Sequence, residues 1–422
     1  MRKIAWFDLL LVFSLALVFR VWITSTYIGF NQHNLTSDDY EFEAIARTLA
    51  QRGQYAVTPD GPPTAHRSPL LPVLVAGVYV LAGPKQVAAQ GVLMVISAAT
   101  AVLTVLLGRE VAGRWVGWAA GLLVAVDPFA WIFAGIFYSE TLFAFLFTLV
   151  LLMLLRVVKQ PGRLNLVILG VGLGCVVLTR PNGLGVVLVS VALLPLAGGK
   201  PLSIWLKRAG LVLVIALLLL VPWVGRNYIV FQRFVPTTSQ MGEVMLGVYN
   251  DTCLYYRCNE WVAVSVLSEG KLLTETEEMA RNDEQFAMAL ASIRAQPYMW
   301  IRILPTKVIR FWTHDTILPN TPYQVNPPPA FLNYQRIFYR FLLVLGLTGL
   351  ILLYWRGHRR AFIIFTAFVA VFSLMTLLLW GDARIRMPLH PLLAVPAAYT
   401  IIMIYLMTKR IMMRQRNIKI EV

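Results

Sequence analysis

The chain has 422 residues, 58% apolar and 14% charged, with a formal net charge of +16. Apolar runs near 20 residues recur along most of it, each long enough to cross a hydrocarbon core about 30 Å thick. This excludes a soluble globular domain. The basic excess is no nucleic-acid signal either, because Lys and Arg cluster at segment ends, where membrane topology uses them.

Met1-Arg2-Lys3 precedes the first run, Ile4 to Val21, and no small-residue cleavage site follows it. It reads as a retained first helix. The sequence predicts an all-α polytopic membrane protein with ten spans: 4–27, 86–107, 112–135, 141–157, 164–179, 184–199, 208–225, 336–355, 361–380 and 388–408. Segment 69–83, PLLPVLVAGVYVLAG, is short and opens on prolines. If it does not cross, Arg109 and Arg114 fall on the side of Arg2 and Lys3, with Arg156 to Arg163, Lys200 to Arg208, Arg356 to Arg360 and Lys409 to Lys419. That agrees with the positive-inside rule, so 69–83 is read as a re-entrant or juxtamembrane helix and both termini as cytoplasmic.

Three units follow. Residues 1–225 form an N-terminal membrane module with a first outer loop, 28–85. Residues 226–335 form an outer-face segment too long for a simple connector. Residues 336–422 supply the last spans. In the middle unit, 274–295 reads as an acidic helix, 297–312 as an interfacial helix that Pro305 should kink or split, and 319–330 as irregular. Cys253 and Cys258 lie there, close enough in sequence for a bridge to be an open question, while Cys175 is in an apolar run.

The polar residues of the outer loops carry the chemistry. Ser37 can cap a helix beginning at Asp38; Phe42, Ile45, Ala46 and Leu49 mark its apolar side and Gly53 its stop. Asp38 and Asp39 then fall in the first turn, where acids also simply complement the helix dipole. Glu140 follows an apolar run directly, a costly place for a carboxylate without a partner or a task. Arg180 in LTRPNG, Arg226 in PWVGRNY, and Arg384 and Arg386 in WGDARIRMPLHP lie on the side that the positive-inside rule depletes of arginine. Snorkelling to headgroups is the plain alternative. A guanidinium fork also suits phosphate oxygens, and arginines with carboxylates beside an apolar groove suit a lipid-linked phosphate.

These patterns resemble the GT-C superfamily of membrane glycosyltransferases, in particular its protein O-mannosyltransferase and lipid A aminoarabinose-transferase branch. SDDYEFEAIARTLAQRGQY is similar to the acid-bearing first-loop helix, HRSPLLP to the proline return and DPFAWIFAGIFYSETLF to the span leading to a second acid. LTRPNG, PWVGRNYIVFQRFVPTTS and GDARIRMPLHPLLAVPAA are similar to the later arginine-bearing turns. The resemblance covers nearly the whole chain. It implies a GT-C-type helical bundle with juxtamembrane helices. It also implies inverting transfer of a sugar from a polyprenyl-phosphate carrier to a glycan, lipid or protein acceptor, on the extracytoplasmic face of the plasma (inner) membrane.

Carried over, the resemblance makes Asp38 the general base, with Asp39 its neighbour and Glu140 the second-loop acid. Tyr40, His66, Arg67, Arg180, Arg226, Asn227, Arg384 and Arg386 become candidates for donor binding. Where the aminoarabinose enzymes have an acid and a lysine at the proline return, this chain has His66 and Arg67, which leaves a divalent-metal requirement open. Two other readings compete. A transporter or flippase of a lipid-linked sugar would use the same arginines but should show paired broken helices. A non-catalytic scaffold would leave the Asp38 and arginine pattern unexplained.

Overall fold

A computed structural model describes residues 6–30, 37–197, 201–250, 277–313, 328–379 and 381–418. Cys253, Cys258 and most of 319–330 lie outside them. The helices are α1 (Trp6–Ile23, running into a π turn, Thr24–Ile28), α2 (Ser37–Arg52), α3 (Leu70–Ala82), α4 (Gln86–Ala112), α5 (Arg114–Ala125), α6 (Pro128–Ala134), α7 (Ser139–Lys159), α8 (Arg163–Thr179) and α9 (Gly183–Leu193). They continue as α10 (Leu202–Phe231), α11 (Met241–Val248), α12 (Glu278–Ala295), α13 (Tyr298–Thr313), α14 (Pro329–Trp355), α15 (Arg359–Leu378), α16 (Ala383–Arg386) and α17 (His390–Ile418).

The protein is an all-α, multi-pass membrane bundle, as the sequence predicts. Among the described residues seven helical stretches are long and apolar enough to span, or eight if one bent pair is a single span, against the ten expected. The expected span 112–135 breaks where Asp127 and Pro128 stop one helix and start another, and α5 and α6 are bent 56° apart. Pro at the first position of α6 and Asp127 as its cap, accepting the Phe129 N–H at 2.9 Å, explain the new start. The expected span 184–199 is α9, 11 residues or about 16 Å, followed by a 3-10 turn over Leu194–Ala197. α8 has 17 residues. α3 has 13, about 20 Å, too short to cross.

α7 is the axis of the bundle: 83% of its apolar window is buried, against 22% for the lipid-facing α10. Phe143 and Phe147 on α7 meet Phe368 and Phe372 on α15 at centroid distances of 5.2–6.3 Å. Small residues let helices approach closely. A Cβ at Gly117 on α5 would lie 2.4 Å from the Val105 carbonyl oxygen on α4.

The segments that link the long helices pack on one end of this bundle. α2 ends as expected at Gly53, whose φ of +68° suits glycine, and whose N–H donates to Leu49 O at 3.0 Å. Phe42, Ile45 and Ala46 are buried. α12 buries Gln285 and Ala289. α13 carries Pro305 inside one unbroken helix and buries Lys307 and Phe311, so it is a packed element rather than a split one.

Candidate functional site

At the α2 end, five side chains from five segments alternate in charge. Arg67, on the loop between α2 and α3, donates from Nη2 to Asp38 Oδ1 at 2.7 Å. Arg384 on α16 donates from Nη1 to Asp38 Oδ2 at 2.7 Å. The Arg384 Nε also donates to Glu140 Oε1. Arg180, just past α8, reaches the same Oε1 from Nη1 at 2.6 Å and lies 3.2 Å from Ser139 Oγ. The order is therefore Arg67, Asp38, Arg384, Glu140, Arg180. The Arg384 guanidinium also sits over the Tyr138 ring, 4.1 Å from its centroid.

Local sequence explains each placement. The first turn of α2 points Asp38 toward the arginines and Asp39 the other way. Asp39 is 4% exposed and accepts the backbone N–H of Phe137, tying α2 to the turn before α7. Asp382 caps α16 by accepting the Arg384 N–H at 2.8 Å. Pro181 ends α8 and leaves Arg180 in extended backbone.

Arg67 continues the network sideways. Its Nε donates to Glu41 Oε2 at 2.6 Å. His66 sits between two carboxylates, with Nδ1 2.8 Å from Glu41 Oε2 and Nε2 2.7 Å from Glu243 Oε2 on α11. Burial alone would lower the His66 pKa, but the hydrogen bonds with Glu243 and Glu41 outweigh it and raise it to about 9. Burial pushes the Asp38 carboxyl up, yet Arg67 and Arg384 more than offset this and hold it well below the usual carboxylate range. Glu41 is lowered too, its burial outweighed by the His66 hydrogen bond and the Arg67 charge.

The other candidates are placed differently. Arg226 donates from Nη1 to Thr64 O at 2.7 Å and from Nη2 to Tyr55 O at 3.2 Å, walled by the rings of Tyr55, Trp223 and Phe231. Asn227 is fully buried and donates to Val235 O at 3.0 Å. Arg386 is fully buried, donates to Phe311 O and lies 3.7 Å from the Tyr339 centroid. Tyr40 is 42% exposed.

Three acids were not singled out from the sequence. Glu41 lies three residues after Asp38, on the same helix face, so helical spacing could have found it. Glu278 on α12 accepts the Ala65 N–H at 2.8 Å and the Thr64 hydroxyl at 2.6 Å, holding the return loop. Glu243 and Glu278 come from the segment 226–335, and nothing in their local sequence points to this loop.

Among the described residues, no group of three or more His, Cys, Asp and Glu side chains is placed to hold a metal ion. Asp38 and Glu140 turn their oxygens to the shared Arg384. Glu140 Oε2 is buried without a hydrogen-bond partner among the described residues.

The fold, a helical bundle with one bent helix pair among the described residues, is shared with solved oligosaccharyltransferase structures. The chain is similar to the oligosaccharyltransferase AglB of Archaeoglobus fulgidus, solved in complex with an inhibitory peptide and a dolichol-phosphate. That alignment has a TM-score of 0.59 at 16% identity and covers 94% of this chain and 50% of that one. The apo form of the same enzyme aligns at TM-score 0.58 and 15% identity, over 97% of this chain and 52% of that one. The chain thus spans about half the length of these structures. ArnT from Cupriavidus metallidurans, bound to undecaprenyl phosphate, aligns at TM-score 0.45 and 16% identity, over 94% of this chain and 78% of that one. No family profile and no curated protein matches the sequence.

Proposed function

We propose that the chain is an inverting glycosyltransferase that moves a sugar from a polyprenyl-phosphate carrier to an acceptor at the outer face of the membrane. The observation that carries this is Asp38 held between Arg67 and Arg384, with Glu140 and Arg180 extending the alternation. The shared fold with an enzyme that holds a dolichol-phosphate supports the carrier class.

In this reading the acceptor oxygen attacks the anomeric carbon as the bond from that carbon to the phosphate oxygen breaks. Asp38 takes the acceptor proton, and the carrier leaves as polyprenyl phosphate with the bonding electron pair. Arg384 and Arg67 or Arg180 stabilise the charge that grows on the leaving phosphate. In the described arrangement both Asp38 oxygens receive guanidinium donors, which makes the carboxylate a weak base. A phosphate arriving at Arg384 competes for Nη1, frees Oδ2 and strengthens the base at the moment the donor is in place. Asp39 and Tyr138 hold the neighbouring turn and Arg384 in position. His66 braces Arg67 through Glu41, while Arg226 anchors the return loop and Asn227 accepts from Arg226 Nη1 at 3.0 Å.

The transporter reading is weaker on one observation. An inverted repeat would supply two broken spans, and among the described residues one bent helix pair is present. Purified protein in lipid vesicles, given polyprenyl-phosphate-linked sugars and candidate acceptors, should release polyprenyl phosphate. Movement of intact donor across the bilayer with no release would favour the transporter.

A further inference from the structure

A second set of buried polar side chains lies in the bundle core, where α1, α4, the α5–α6 break and α17 meet. Arg20, Asp127 and His390 are 0%, 2% and 1% exposed. Ionisable groups inside a membrane bundle are costly and mark a partner or a task. Arg20 donates from Nη2 to Val124 O and from Nη1 to Ala125 O, both at 3.2 Å, and from Nε to Ser97 Oγ at 2.7 Å. Those carbonyls end α5 and lose their helical donors at the break. The Tyr334 hydroxyl donates to the next one, Val126 O, at 2.7 Å. Arg20 and Asp127 line one small cavity.

Asp127 spends its two oxygens on two different elements. One caps α6, and Oδ2 accepts from His390 Nδ1 at 2.8 Å. The His390 Nε2 has no partner among the described residues, so the Nδ1–H tautomer fits the site. The imidazole packs edge-on to Phe129 at 4.9 Å and over Tyr339 at 5.9 Å.

Each end of this hydrogen bond leads directly to the charged cluster. Beyond Asp127, α6 runs into the turn that presents Phe137 to Asp39, the Tyr138 ring to Arg384, and Glu140. Before His390, one 3-10 turn (Met387–Leu389) joins the four-residue α16, which carries Arg384. A helix of four residues has little stability of its own. The Asp127–His390 bond is buried between the start of α6 and the start of α17, where a lost partner is costly.

We infer that Asp127 and His390 are positioning residues: their hydrogen bond fixes the turn before α7 against the turn before α17 and so sets Arg384 against Glu140 and Tyr138. The catalytic consequence rests on the transferase reading, but the positioning does not. The test compares His390→Leu, which keeps the apolar packing and loses the donor, with His390→Asn, whose amide can donate from near the Nδ1 position. Two readouts are taken on lipid-reconstituted full-length protein: kcat for transfer, and backbone hydrogen exchange at 135–140 and 383–389.

Exchange in both turns should rise in His390→Leu and return toward wild type in His390→Asn. The kcat should fall about a hundredfold in His390→Leu, as a misplacement near 1 Å produces, and recover in His390→Asn. In a Glu140→Gln background the Leu change should cost little more, because the pair acts through Glu140 and Arg384. Unchanged exchange in His390→Leu, or losses that multiply in the double variant, would overturn the inference. Raised exchange in a protein whose wild type transfers no sugar would uphold the positioning and sink the transferase reading instead. Asp127→Asn, whose amide oxygen can still cap Phe129, carries the same comparison if His390→Leu does not fold.

Discussion

Arg384 and Arg226 lie at the same end of the bundle, and their local sequences give them the same promise as phosphate ligands. Their partners separate them. Arg384 is held by two carboxylates, Asp38 and Glu140. Arg226 is held by two backbone carbonyls of the return loop and three aromatic faces. A guanidinium paired with an acid can exchange that acid for an incoming phosphate, because both are anionic acceptors of the same geometry. A guanidinium that caps buried carbonyls cannot be recruited without releasing the loop it holds. An arginine on the arginine-poor side of a membrane protein therefore becomes a candidate ligand only when its resting partner is itself an anion.

The largest effect that would sharpen this contrast is expected at the shared acid. Asp38→Asn keeps size and loses the ability to take a proton, so transfer should fall about 10²–10⁴-fold. The measurement is release of polyprenyl phosphate by purified, reconstituted variant; near-normal turnover would remove Asp38 from the role of base. Arg384→Ala comes next. It deletes the donor shared by Asp38 and Glu140, and a loss of about 10²–10³-fold in kcat is expected. Arg384→Lys should recover only part of it, since an ammonium cannot serve both acids through a planar fork. Full activity in both Arg384 variants would erase the distinction from Arg226.

Much of this site was legible in the sequence. Asp38, Glu140, Arg180 and Arg384 each stand where an apolar run ends or a loop helix begins, and that placement is a period-and-length signal. Gly53 as a helix stop comes from a local rule, whereas 69–83 reads as not crossing from the distribution of basic residues along the whole chain. Pairings were not legible. Whether an arginine meets a carboxylate or a carbonyl is decided by contacts between residues far apart in sequence, such as Arg384 with Asp38 or Arg226 with Thr64. The break in 112–135 escapes hydropathy because the segment is apolar on average despite Asp127; Asp127-Pro128 is a strong helix start, and hydropathy alone reads past it. Lys307 and Phe311 show the same limit. The α13 pattern suits an interfacial helix, yet both residues are buried in the bundle.

Arg226→Ala should separate the two regions in the other direction. It leaves the Thr64 carbonyl without its guanidinium donor, at about 1–3 kcal/mol for a buried acceptor left unmade, while the Tyr55 carbonyl keeps the Thr64 N–H at 3.0 Å. The loss should appear as a lower Tm and as protease sensitivity in the 53–68 loop. The kcat per folded molecule should stay near wild type. A normal Tm with a kcat as low as that of Arg384→Ala would show that Arg226 binds the donor after all.

The smallest effect concerns pH, and it tests whether the outer segment braces the arginine cluster through His66. The folded pKa of His66 is about 9, above its ordinary value of 6.5, because Glu243 and Glu41 hold the imidazolium despite its burial. A raised pKa means the contribution to stability is complete below 6.5 and disappears as the pH rises through about 9. Asp38 and Glu41 are shifted downward and their shared partner Arg67 upward, so these three keep their charge throughout that window and add nothing to the slope. With a side chain 24% exposed, His66 is partly screened by solvent, so the change in stability should be modest. Thermal unfolding of the wild type should shift to lower temperature between neutral pH and pH values above 9, together with faster exchange in α11. His66→Gln can keep one hydrogen bond but has no charge to lose, so its Tm should start lower and stay level across the same window. A slope that survives unchanged in His66→Gln would place the titrating group elsewhere and detach the outer segment from the cluster.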